Sequence, residues 1–118
     1  MPGPADLWHA LPFPGLVLSP GGHVLSANLA AEEFLNISDR QLTGQRLFDL
    51  VTVDPTLPEA LDRVQTGQGA LHVNDVELAA AGRPPVLCNL QAAPLRAPAG
   101  ALLLLIQPRG PGMVARTS

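Results

Sequence analysis

Residues 101–106 read Ala-Leu-Leu-Leu-Leu-Ile, and no other stretch limits the fold so sharply. An apolar run this short falls well below the ~20 residues that a membrane helix needs. As a strand with one face in water it would alternate with polar residues, and it does not. It reads as a strand at 101–107 with apolar side chains on both faces. Something must cover each face, so the sheet containing it needs a layer of helices on one side and a further covering on the other.

The preceding segments show which other strands join it. Val86, Cys88, Leu90 and Ala92 alternate with Leu87, Asn89 and Gln91, the period of a half-buried strand. Leu71 and Val73 alternate with His72 and Asn74, while Val76 and Leu78 continue out of phase. A bulge or bend is therefore expected at Asn74-Asp75. Ala81-Gly82-Arg83 and the 96–100 stretch, Arg-Ala-Pro-Ala-Gly, turn the chain between these strands. Near the N-terminus, 16–19 and 23–26 read as two strands joined by Pro20-Gly21-Gly22, a hairpin.

Between the hairpin and residue 71 the period is helical. Asn28 stands at an N-cap position, where its side-chain oxygen accepts from free backbone N–H groups. Ala27, Ala30, Ala31, Phe34 and Leu35 follow as a buried stripe, with Glu32 and Glu33 on the other side. Residues 38–41 predict a short helical turn closed by Gly44, and Leu47, Phe48, Leu50 and Val51 a third. Thr56-Leu57-Pro58-Glu59 has the spacing of a capping box with Thr56 at the cap. Leu57, Ala60, Leu61 and Val64 form its buried stripe, and Gly67 its stop. Asp6 caps a further short helix at 7–11, which Pro12 and Pro14 end. The expected architecture is α+β. A five-stranded antiparallel sheet carries an N-terminal helix and short helices inserted between strands two and three. The expected divisions are an N-terminal helical extension at 1–11, a domain at 12–108, and a linker or disordered tail at 109–118.

Composition narrows the function classes. The 118 residues suit one domain. Charged residues are only 14%, against ~25% in ordinary soluble domains, which points to apolar surface covered by a partner. All seven basic residues are Arg and are scattered without a stripe, so a nucleic-acid partner is not expected. A single cysteine, Cys88, excludes an internal disulfide and fits a reducing compartment. The first fifteen residues lack the basic start and apolar core of a signal peptide. With no membrane segment either, the expectation is a cytoplasmic protein.

The ordered series of motifs resembles a PAS domain. Pro14-Gly15-Leu16-Val17-Leu18 matches its opening strand and Gly22-His23-Val24-Leu25 its second. The Ala27-Asn28 junction then leads into Ala30-Ala31-Glu32-Glu33-Phe34-Leu35, and Leu42-Thr43-Gly44 precedes Leu47-Phe48-Asp49-Leu50. Within the PAS family the chain is most similar to the N-terminal sensor domain of NtrB, the nitrogen-regulation histidine kinases. Gly67-Gln68-Gly69, the strand around Asp75-Val76-Glu77-Leu78, and Gly82-Arg83 carry that similarity. The resemblance implies a PAS fold over about residues 12–108 and a homodimer in a two-component system. It also implies a response regulator and a PII-type signal protein as partners of the whole kinase. The phosphoacceptor His motif and ATP-binding domain of such kinases are not in these residues. This stretch is thus expected to be regulatory, with no catalytic residue and no cofactor of its own.

Individual side chains agree. His9, His23 and His72 fall on separate elements without metal-ligand spacing, and the 57–65 helix holds no His. Cys88 reads as a small buried hydrophobe in a strand. Glu32, Glu33, Asp49, Asp54, Glu59 and Asp62 fall on polar helix faces or near helix starts, not in a paired acid–base site. For the uncovered side of the 101–106 strand, Leu7, Trp8 and Leu11 are the candidate cover and the candidate dimer interface, from this chain or from a second copy. The alternative function is a small-molecule sensor, with Phe34, Phe48, Leu61 and Cys88 lining a pocket between helices and sheet.

Overall fold

The structure is a computed structural model that describes residues 3–53, 56–65, 69–80, 82–96 and 99–111. Asp54, Gly67, Gln68, Ala81, Ala97, Pro98, residues 1–2 and the tail from 112 onward, to which the sequence pattern gives roles, lie outside the described residues. The elements run α1 (Pro4–Ala10), β1 (Gly15–Leu18), β2 (Val24–Ala27), α2 (Leu29–Leu35), α3 (Asp39–Leu42), α4 (Leu47–Leu50), β3 (Val51–Thr52), α5 (Thr56–Gln65), β4 (Leu71–Ala80), β5 (Val86–Pro94) and β6 (Leu102–Pro111).

The sheet has six strands in the order β2-β1-β6-β5-β4-β3, all antiparallel pairs, and not the five expected. The added strand is β3, in which Val51 and Thr52 pair with Ala80 and Ala79. Two residues are too few to show a period of two, so Val51 reads in sequence as the end of the preceding apolar helix cluster. The last strand also differs. It runs to Pro111, so 108–111 are strand where the sequence places the start of a patternless tail.

Caps and turns follow the residues that favour them, with small shifts. Asp6 lies inside α1, not at its cap, and its carboxylate accepts from the Gly3 N–H (3.1 Å). Thr56 is the first helical residue of α5 rather than a residue before it. Ser38 caps α3, its hydroxyl accepting from Gln41 N–H. The expected bulge is present: pairing between β4 and β5 slips between Val73 and Val76.

Asn28 does more than cap α2. It is fully buried, and its Oδ1 accepts from both the Ala31 N–H and the Gly15 N–H, each at 2.9 Å. Its Nδ2 donates to the Phe13 carbonyl (3.1 Å). One amide therefore joins the entry to β1, the end of β2 and the start of α2.

Alternate residues of the sheet meet these helices. Leu16, Leu18, Leu102, Leu104, Ile106, Cys88 and Leu90 form one buried layer. Ala31, Leu35, Leu42, Leu47, Leu57 and Leu61 supply the other. The β2 edge is closed by residues 44–47: Val24 donates its N–H to the Gln45 carbonyl and accepts from Gly44, both at 2.8 Å.

Asn28→Ala removes three bonds at a site without water access. It is expected to lower unfolding free energy by about 2–4 kcal/mol, more than loss of a surface cap. A urea titration checks this: a midpoint shift no larger than that of Ser38→Ala would show that the two strand bonds contribute nothing.

Candidate functional site

The outer face of the sheet, opposite α2–α5, is where the sequence asks for a cover. Registers place Gly15 beside Leu105, Val17 beside Leu103, and Ala93 beside Leu103 on this face. Leu103 and Leu105 are half-buried, and Val17 likewise. Trp8 of α1 lies over part of it. Its indole N–H donates to Ser26 Oγ (3.1 Å), and its six-membered ring rests on Gly15. A Cβ at Gly15 would come within 2.9 Å of the ring, so only glycine admits this contact.

The chain covers only part of this face with its own helix. Trp8 is engaged, but Leu7 remains 58% and Leu11 39% exposed, and Phe13 is also exposed. The three expected interface residues thus divide: Trp8 anchors the helix and the two leucines point an apolar surface outward. Beyond the helix a shallow groove of about 220 Å³ lies over β4, β5 and β6, with His72, Gln91, Ala93, Leu103 and Leu105 in its wall. Sequence reasoning missed Leu25 and Leu29, both exposed on β2 and α2. Each is a single apolar residue outside a stripe, so no periodic signal marks it.

The expected pocket residues all belong to or pack against one apolar core, and the cavities there divide them. Phe34 lines a cavity of about 220 Å³ with Arg83 and Pro84, whereas Phe48 and Leu61 line another of about 330 Å³ beside Pro20, Arg46 and Asp62. Cys88 lines none of the cavities described, and it is wholly buried in the sheet. Burial pushes its thiol up from 9.0 to about 11, and the thiol contacts the Val86 carbonyl at 3.5 Å.

Two polar ties hold the helices to the sheet. Arg83, in the turn before β5, donates to the Glu33 and Phe34 carbonyls at the end of α2 (3.0 and 2.9 Å). The cation thereby satisfies carbonyls that a helix end leaves open. Gln65 donates to the Ser19 carbonyl at 2.6 Å. His9, His23 and His72 stay apart on α1, the hairpin and β4. Among the described residues there is no group of three His, Cys, Asp or Glu fit to hold a metal. Among the same residues no helix is long and apolar enough to cross a membrane.

Known proteins share this fold. A family profile described as the PAS fold matches residues 8–107. The sensory histidine kinase/phosphatase NtrB of Rhodobacter capsulatus is 45% identical over 109 residues, 92% of this chain and 31% of that protein. NtrB of Azospirillum brasilense is 26% identical over 106 residues, 90% of this chain and 26% of that protein. The chain therefore spans less than a third of the length of these curated relatives. Among solved structures, the PAS domain of nitrogen regulation protein NR(II) from Vibrio parahaemolyticus superposes with a TM-score of 0.73. Identity is 24%, and the match covers 93% of this chain and 99% of that one. At that identity the likeness is one of fold.

The raised Cys88 thiol has two measurable consequences. Folded protein at pH 8 should react with iodoacetamide at least a hundredfold more slowly than urea-unfolded protein, since two pH units separate the thiols and burial adds to the difference. The unfolded thiol ionises first as pH rises. Its contribution to stability is thus fully present below pH 9 and is lost towards pH 11. Equal alkylation rates in the two states would show that the strand opens readily.

Proposed function

The chain belongs to the PAS-fold family, and from that premise we propose that it is the regulatory module of a cytoplasmic histidine kinase of the NtrB type. In this reading it acts by pairing with a second copy and passing a signal to a kinase core outside these residues. Its resemblance to NtrB sensor modules rests on 45% identity over 92% of the chain. The observation that carries the dimer is the half-covered outer face. Trp8 fixes α1 on Gly15 and Ser26, Leu7 and Leu11 remain exposed, and Leu103 and Leu105 on the outer face of the sheet are only half-buried.

Knob and groove on the same face of one protomer suit an isologous contact, in which each copy offers both. A two-fold arrangement would bury Leu7 and Leu11 of one copy against Leu103 and Leu105 of the other. Apolar burial supplies roughly 25 cal/mol per Å², which favours association without charged partners. The low charge content of the chain agrees with a surface that is not left in water. Transmission would follow from two packings of this face with different populations, biased by the signal. The whole kinase would phosphorylate a response regulator, and a PII-type protein would set its balance of kinase and phosphatase activity. The small-molecule reading with Phe34, Phe48, Leu61 and Cys88 around one pocket has less support, because among the cavities described only Phe48 and Leu61 share a wall.

Light scattering across concentration tests the dimer. The 118-residue chain should show twice its 12.3 kDa mass, and Leu7→Glu with Leu11→Glu should return it to one copy with an unchanged urea midpoint. A single-copy mass at high concentration would overturn dimerisation by this face. Exchange of this chain for the matching region of the Rhodobacter capsulatus kinase tests the NtrB reading separately: the chimera should keep both its kinase and phosphatase activities.

A further inference from the structure

Helix α1 is lightly held. It has seven residues, too few to persist as a helix without support from the rest of the fold. Among the described residues one hydrogen bond joins it to the sheet, from the Trp8 indole to Ser26 Oγ, beside the ring contact on Gly15. α1 also lies near α2, with no hydrogen bond between the two among the same residues. Docking buries His9 Nδ1 without a hydrogen-bond partner among the described residues, which weakens the hold further. The opposite margin of the sheet has a tie of another kind: Asp75, in the β4 bulge, pairs with Arg109 of β6 across β5.

The link from α1 to β1 is Leu11-Pro12-Phe13-Pro14. Its second half is fixed to the body: the Phe13 carbonyl accepts from Asn28 Nδ2 (3.1 Å) and the Pro14 carbonyl from the Ile106 N–H (2.9 Å). Its first half is not. Leu11 and Pro12 are exposed, and the bond from the Leu11 N–H to the Trp8 carbonyl moves with the helix. Leu11 stands before a proline and is restricted to extended backbone, with φ −62° and ψ 134°. Phe13 stands before the second proline under the same restriction. The chain nevertheless bends at Pro12 and Phe13 to bring α1 back over its own sheet. A short hinge so constrained favours exchange of the element it carries, because straightening it sends that element to a second copy.

We propose that two copies of this chain exchange α1, so that Trp8 of each docks on Gly15 and Ser26 of the other. The proposal rests on the pairing of copies through the outer face and goes beyond it by naming the element that crosses. Each contact that Trp8 makes within one copy is remade between two, so exchange sacrifices no burial, and the straightened hinges lose their bend. The contact is isologous and closes with two copies. Leu11, exposed in one copy, stands at the crossing and is covered there by the other.

Trp8 is the chain's one tryptophan, so its emission reports docking directly. Two variants of the 118-residue chain test the exchange. Trp8→Ala has an open sheet and no tryptophan; Gly15→Ala has the tryptophan and a sheet blocked by its new Cβ. Gly15→Ala alone should emit as a ring in water. Excess Trp8→Ala should shift that emission to shorter wavelength, because Trp8 then reaches the intact Gly15 of a second copy. Unchanged emission in a mixture whose light scattering shows pairs would overturn exchange and leave pairing standing. A single-copy mass for the wild type at high concentration would overturn pairing itself. A Cβ at Gly15 also comes within 3.1 Å of Asn28 Nδ2, and if that variant fails to fold, Pro12→Gly decides. Its freer hinge bends back at less cost. Self-association should weaken by up to about fivefold for each of the two hinges, with Trp8 emission still that of the docked ring. Self-association equal to that of the wild type would overturn exchange.

Discussion

The position of the N-terminal helix depends on one buried amide. Asn28 binds Gly15 N–H, Ala31 N–H and the Phe13 carbonyl at once, so β1, β2 and α2 cannot move independently. A buried donor or acceptor without a partner costs about 1–3 kcal/mol, which makes partial opening of this junction unfavourable. Gly15 is thereby held where its missing side chain admits the Trp8 ring, and the Trp8 indole completes the contact at Ser26. Exposed Leu7 of α1 and Leu11 just after it owe their placement to that chain of contacts. A polar residue in the core thus acts on the apolar surface outside it.

Much of this was legible because the responsible residues act locally. An Asn before a helical stripe is a cap by its own chemistry, and the phase slip at Asn74-Asp75 is a bulge because side chains alternate. The Leu102–Ile106 run revealed two apolar faces without showing which element covers each. Non-local features left no comparable mark. β3 exists because Val51 and Thr52 meet Ala80 and Ala79, residues nearly thirty positions away, and two residues carry no period. Apolar type likewise identifies Phe34, Phe48, Leu61 and Cys88 as inward residues without showing which cavity each one lines. Arg109 looked like part of a patternless tail, because its partner Asp75 is 34 positions distant.

The two faces of the sheet impose different rules on any signal. The centre of the inner face is closely packed: Leu16, Leu90, Leu102 and Cys88 are all buried to within 2%, and the cavities lie towards its margins. Interiors at that density resist a new occupant, because rearranging close-packed side chains costs about as much as removing them. The outer face is only partly covered, by one helix held through Trp8. Changes that cost little therefore belong to the outer face and to the rims of the sheet, where regular pairing has already lapsed.

The rim at Asp75 and Arg109 has the further property that its connection is weak. A strong tie between β4 and β6 would hold the strand end in one state. An exposed ion pair, screened over about 8–10 Å at ordinary salt, holds the end of β6 with a free energy comparable to that of a modest ligand contact. Thermal populations there respond to small perturbations, since a preference of about 1 kcal/mol shifts a two-state ratio about fivefold. The inner core keeps the fold intact while this happens, because its burial does not involve either side chain. Stability and responsiveness are thus assigned to different residues of the same three strands.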